Sequence, residues 1–172
     1  MATERPDIPA HLRHRPTSGG LVVPVPTPRG ADGTRQFGLL ARHWQQHLLR
    51  HRLCQICGRR LTGRLILFAR PADLQLRCTS EPAVCPPCAA YSMRACPMLS
   101  GRLEHYRRRA RTGVAGVPAG TGGALRAGAP AEAWYAVWLG GYDVAAHPVR
   151  GDVLAACWWR HPPLRIRPVP AS

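Results

Sequence analysis

An α+β fold with a β-rich C-terminal part is predicted by three features of this chain. The stretch 37–53 carries apolar residues at helical spacing. Two Cys-x-x-Cys pairs, Cys54/Cys57 and Cys85/Cys88, bracket a short strand-like run. Beyond residue 131 the apolar residues alternate with a period of two. Each Cys-x-x-Cys turn brings two sulfurs to one point, and a tetrahedral zinc ion needs two such points facing each other. The expected core is therefore small and stapled by one structural Zn2+ per chain, with Cys54, Cys57, Cys85 and Cys88 as ligands.

Taken in order, residues 1–36 read as an extended Pro-rich arm. Leu-Val-Val-Pro-Val-Pro at 21–26 cannot complete a ladder at its prolines, so it is an edge strand or an arm lying on the domain. His11, Arg13, His14 and Arg15 form a small basic cluster, expected to be solvated. In 37–53, Leu40, Trp44 and Leu48 are spaced by four, with Leu49 and Leu53 beside them, which predicts an amphipathic helix running into the first Cys pair. His43, His47 and His51 share another face. That ladder is expected to be a wet face beside the buried stripe, with metal binding as the alternative. Arg42, Arg50 and Arg52 place positive charge there too.

Gly58 follows the first pair, where the turn calls for a residue that tolerates positive φ. Residues 64–69, Arg-Leu-Ile-Leu-Phe-Ala, are apolar and β-branched enough for a strand, with Gly63 and Pro71 as turn points. The second pair opens a helix. Pro86 and Pro87 suit its first turn, where a missing N–H has no cost, and Pro97 stops it. Cys78 is a substitute ligand; otherwise Cys78 and Cys96 are small buried hydrophobes. Two alternatives to zinc remain open. Disulfides are disfavoured by an odd total of seven cysteines and an N-terminus without an apolar leader. A redox pair at Cys85 and Cys88 would leave the first pair unexplained. The order knuckle, hairpin, knuckle, helix resembles a treble-clef zinc finger, a class that serves many tasks.

Residues 98–111 predict a short helix with Leu99, Leu103 and Tyr106 on one face. Arg107, Arg108, Arg109 and Arg111 crowd its last turn, where the helix dipole favours cations. Residues 112–130 read as a Gly/Ala-rich linker or loop. In the β-rich segment 131–172, strands are predicted over 132–139, 152–159 and 164–169. Trp134, Ala136 and Trp138 fall on one face of the first, and Tyr135, Val137 and Leu139 on the other. Four of the five Trp lie in this segment and are expected to be core rather than a base-stacking platform. The zinc-binding helical and hairpin core is thus assigned to 37–111, with 131–172 packed on it.

The net charge is +15, and all 24 basic residues are Arg against nine acids. The absence of Lys is the imprint of a G+C-rich coding sequence, but the shortage of acids is not, so the basicity favours contact with a polyanion. No apolar stretch is long enough to span a bilayer, and a cytoplasmic, reducing location is expected. No P-loop, His-Glu-x-x-His or Gly-x-Ser-x-Gly motif is present, no acid/base pair is visible, and no small-molecule substrate is evident. A four-thiolate site is closed, which argues against an enzyme.

Gly-Gly-Leu-Val-Val-Pro at 19–24, Cys-Gln-Ile-Cys-Gly at 54–58, Cys-Thr-Ser-Glu-Pro-Ala-Val at 78–84 and Ala-Tyr-Ser-Met-Arg-Ala-Cys-Pro-Met-Leu-Ser-Gly at 90–101 carry a wider resemblance. Together they are similar to an actinobacterial protein family of like length with no established activity. The resemblance implies the zinc site and a bacterial cytoplasm, and nothing about a reaction. The function expected is that of a structural-zinc binding protein. Nucleic acid is the leading partner, through Arg107, Arg108, Arg109, Arg111, Arg50 and Arg52. A protein-interaction or assembly module is the alternative, and a thiol redox protein using Cys85 and Cys88 stands behind both.

Overall fold

The computed structural model of the chain describes residues 6–108 and 126–169. Among them are three α-helices and eight short strands in three antiparallel sheets, an α+β arrangement.

The N-terminal arm opens with a 3-10 turn at Ala10–Leu12 that buries Leu12 completely. β1 (Thr17–Ser18) and β2 (Leu21–Val22) follow as a two-stranded ribbon. Gly19 and Gly20 both take positive φ, as a two-residue hairpin turn of this hand requires. Backbone bonds then fasten the arm down. The Val22 N–H donates to the buried Tyr91 hydroxyl at 3.0 Å, and the Val25 N–H donates to Gln55 O at 2.8 Å.

Helix α1 spans Arg42–His51 and ends at Arg52, which adopts left-handed φ of 52°. It begins later than the periodicity suggests because the Ala41 N–H is bonded to Pro26 O. The buried stripe is Ala41, Gln45, Leu48 and Leu49, so it is rotated from the Leu40–Trp44–Leu48 line. Trp44 is 43% exposed and lies against His43 and His47 on the wet face. Gln45 is buried because its amide donates to Ser80 O at 2.9 Å and Leu154 O at 2.8 Å, tying α1 to two distant segments of the chain. Gln45→Ala would leave both carbonyls unpaired. We expect it to cost about 2 kcal/mol, read as a lower urea midpoint at unchanged slope.

The central sheet has the order β3 (Leu65–Ala69), β5 (Tyr135–Leu139), β8 (Arg165–Pro168). Leu65 pairs with Leu139 and Ala69 with Tyr135, while β8 pairs β5 from Trp138↔Arg165 to Tyr135↔Pro168. Because strand side chains alternate, this sheet divides the interior in two. Ile66, Phe68, Ala136 and Trp138 face the side that holds Cys54, Cys57 and Cys88. Leu65, Leu67, Ala69, Val137 and Leu139 face a second cluster with Leu49, Tyr142 and Trp158. A further sheet, β4 (Cys78–Thr79), β7 (Leu154–Cys157), β6 (Asp143–Ala146), packs beside α1.

Two local expectations are corrected. Pro71 is not a turn point but the first residue of helix α2 (Pro71–Leu76). A proline has no N–H to leave unpaired at that position, and the Asp73 carboxylate accepts the Arg70 N–H at 2.9 Å to cap the turn. The hairpin between the Cys pairs is thereby reduced to one bridge, Ile66↔Val84, closed by two backbone bonds of 2.9 Å. Second, 98–108 is not helical. Gly101 takes positive φ, and the Tyr106 N–H and Glu104 O bond to Ala129 and Ala131 instead. The Arg102 guanidinium turns back and donates to Arg94 O and Ala95 O, closing the C-terminus of α3 (Pro86–Ala95).

Candidate metal centre

The first Cys pair sits in a loop that folds back on itself. The Cys54 N–H donates to Arg59 O, the Gly58 N–H to Cys54 O, and Leu53 bridges Arg60. Gly58 has φ of 75°, which a side chain would make strained. The second pair begins α3. Cys85 is its N-cap, Pro86 and Pro87 fill the first turn, and Cys88 follows one residue later. Two backbone contacts bring the pairs together. The Gln55 N–H donates to Ala83 O at 2.9 Å, and the Ile66↔Val84 bridge ties the same segment to β3.

The result is a cluster in which the sulfurs of Cys54, Cys57, Cys85 and Cys88 all lie within 4.8 Å of one another, a group that could hold a metal ion. Cys54 and Cys88 are fully buried, Cys57 nearly so, and Cys85 is half-buried. A tetrahedral zinc ion at about 2.3 Å from each thiolate spaces the sulfurs about 3.8 Å apart. The Cys57 and Cys85 sulfurs stand 4.0 Å apart. Donor type, number and spacing therefore fit a four-thiolate ion.

The electrostatics point the same way. Hydrogen bonding by Cys57 lowers the Cys54 thiol to about 7. Hydrogen bonds from Cys54 and Cys88 lower Cys85 to about 4. Cys57 is pushed up by its hydrogen bond to Cys54 and then by burial, and Cys88 by its bonds to Cys54 and Cys85 and then by burial. The sulfurs thus share S–H hydrogen bonds within the cluster, which favours ionisation of some and opposes that of others. A divalent cation at the centre would take over the role of those protons and let all four ionise. The Cys85 N–H lies 3.4 Å from Cys54 Sγ, and the N-terminal end of α3 adds a positive dipole.

One contact was not legible from the cluster of basic residues in the arm. His11 is not solvated as expected: its Nε2 lies 3.5 Å from Cys88 Sγ, with the neighbouring Leu12 anchored in the same core. With a metal bound and Cys88 ionised, the ring N–H would be the donor. The two residues are far apart in sequence, so no spacing rule could find the pair. Such contacts orient a ligand and tune its basicity, and their loss typically weakens a metal site by about 10–100-fold. His11→Ala should therefore weaken zinc binding on the order of 10-fold in competition with a chromophoric chelator, with circular dichroism unchanged. Equal affinity would remove His11 from the centre.

The other candidate residues are dispersed. Cys78 lies on β4 opposite Cys157, outside the cluster. Arg50 is exposed at the end of α1. Arg52 is engaged by the fold: its guanidinium donates to Tyr142 O at 2.9 Å and lies 5.4 Å over the Tyr142 ring. Arg107 and Arg108 are exposed, and Arg109 and Arg111 lie outside the described residues. His43, His47 and His51 are exposed, with the last two rings 4.5 Å apart. Of the C-terminal Trp, Trp158 is buried and Trp159 is 47% exposed, while Trp134 and Trp138 are half-buried under Arg70 and Arg165.

Comparison with protein families, with curated proteins and with solved structures finds no match to this chain. The actinobacterial resemblance gains no support from it. No helix among the described residues is long and apolar enough to cross a membrane.

Proposed function

We propose that this is a structural-zinc binding protein with a treble-clef-like centre, and that its task is contact with nucleic acid. The observation that carries the zinc reading is the four-sulfur cluster at the junction of the first knuckle, β3 and α3. A site of four thiolates leaves no coordination position for water or substrate, so it serves folding rather than catalysis. Support for a nucleic-acid partner comes from the excess of Arg over acids and from Arg50, Arg107 and Arg108 lying exposed.

The test is binding of labelled single- and double-stranded oligonucleotides to the metal-loaded protein over a salt series. Affinity should fall steeply with salt. The Arg107→Ala/Arg108→Ala double variant should flatten the log–log slope by about 1–2 while leaving the fold intact. No binding at low salt, or an unchanged slope in the double variant, would contradict this partner. A protein-interaction module is the second reading, favoured by β8. It is an edge strand of the central sheet; Leu164 just before it is 62% exposed and Ile166 on it is 47% exposed. Capture of a protein by that edge would be insensitive to salt.

A further inference from the structure

Three cysteines stand outside the metal cluster, and two of them face each other. Cys78 on β4 is the register partner of Cys157 on β7. The Trp158 N–H donates to Arg77 O at 2.9 Å, so the bonded positions flank this pair and Cys78↔Cys157 is a non-hydrogen-bonded pair. In that geometry the opposed Cα atoms stand about 4.5 Å apart and the side chains are at their closest. A disulfide accepts Cα separations of about 4.4–6.8 Å. Both thiols are fully buried in one small cluster with Ala155. We propose that Cys78 and Cys157 form a cross-strand dithiol that closes to a disulfide by exchange with a low-molecular-weight disulfide, independently of the metal centre.

The seven cysteines then divide by role: four at the metal, two across the strands, and Cys96 alone. The step balances without a further co-reactant. The sulfur of one cysteine, as thiolate, attacks the small disulfide, forming a mixed disulfide and expelling one small thiolate, which takes up the proton that the attacking thiol gave up. The second cysteine attacks the protein-side sulfur, expelling the second small thiol. The protein loses two hydrogens and the small disulfide is reduced to two thiols. Burial, and then the neighbouring Cys157, push the Cys78 thiol up to about 12, and burial raises Cys157 as well. Exchange in the closed fold is therefore slow. The gate is β4, which is two residues long and held to β7 through two registered pairs, so it can open locally while the rest of the sheet stays formed.

The experiment treats the metal-loaded full chain with oxidised glutathione, with and without urea below the unfolding midpoint. Alkylation and digestion without reduction follow. The expected product joins the Cys78 and Cys157 peptides, forms faster in urea, and leaves metal content unchanged. Because the bond closes a long loop, the thermal midpoint should rise by about 10 °C and fall back on reduction. Cys78→Ala and Cys157→Ala should each lose that rise and keep the metal, whereas Cys96→Ala should keep both. If either variant fails to fold, peptide mapping of the wild type and of Cys96→Ala still decides. Free Cys78 and Cys157 after oxidation in urea, or cross-links from them to other cysteines, would overturn the proposal.

Discussion

With an ion held by the four-sulfur cluster as proposed, stripping it is expected to unfold the segment around it, at a cost on the order of 10 kcal/mol of folding free energy. That is comparable to the whole stability of an ordinary domain. The geometry gives the reason that so much would depend on one ion. The first knuckle, the Ala83–Cys85 segment and the start of α3 are joined by few backbone bonds, and the four sulfurs are what close them on each other. Without a cation, the four clustered sulfurs cannot all ionise, because thiolates this close and this far from water repel one another. The arm rests on the same core through Leu12, and its Val22 N–H depends on Tyr91 of α3. Chelation should therefore release the arm together with α3. Limited proteolysis would read this as cleavage between residues 13 and 35 on adding chelator, reversed by adding zinc. A chelated protein with unchanged helicity and an intact arm would refute the structural role.

The second large effect is expected at Arg70, far from the cysteines in role. Its side chain is only 11% exposed and lies 3.6 Å from Asp73, 3.5 Å from Glu81 and 3.6 Å from Glu132. Its guanidinium stacks 4.1 Å over the Trp134 ring. Glu132 also takes a 2.9 Å ion pair from Arg126 and a hydrogen bond from the Tyr106 hydroxyl. One cation thus joins α2, the turn after β4 and the approach to β5. Arg70→Met fills the volume but leaves clustered carboxylates without their shared partner. We expect a loss of about 3–5 kcal/mol, measured by urea unfolding at constant slope. Arg70→Lys should rescue little of it, because a point charge cannot stack on Trp134 and reach three carboxylates at once. A loss below about 1 kcal/mol would mean that the pairs behave as exposed ones.

The parts of this structure that were legible in the sequence are those encoded by neighbours. The prolines at the start of α3, the positive φ of Gly58 and the alternation of Ala136, Val137 and Trp138 are all local rules, and the structure keeps them. Strand β6 escaped because Asp-Val-Ala-Ala carries little β-propensity of its own; it is a strand because β7 supplies its partners. Helix α2 escaped because Pro71 reads equally as a turn and as a first helical residue, and the capping Asp73 decides between them. The segment 98–108 carried helical periodicity, but its backbone groups find residues 128–131 instead, a pairing no local window reveals. At the metal centre the Cys spacing was explicit, whereas His11 depends on the arm's return path. Trp44 was misplaced because the helix turns toward Ser80 and Leu154, which Gln45 bonds, and a polar residue in the buried stripe hides the true face.

The central claim is that the four-sulfur cluster is a closed zinc site, and metal analysis of protein purified without added zinc tests it most directly. Free thiols are titrated before and after chelation on the same sample. The account predicts one zinc per chain, with Cys54, Cys57, Cys85 and Cys88 unreactive until the metal is removed and alkylated together afterwards. A metal-free, folded protein whose Cys85 and Cys88 are joined by a reducible disulfide would contradict it.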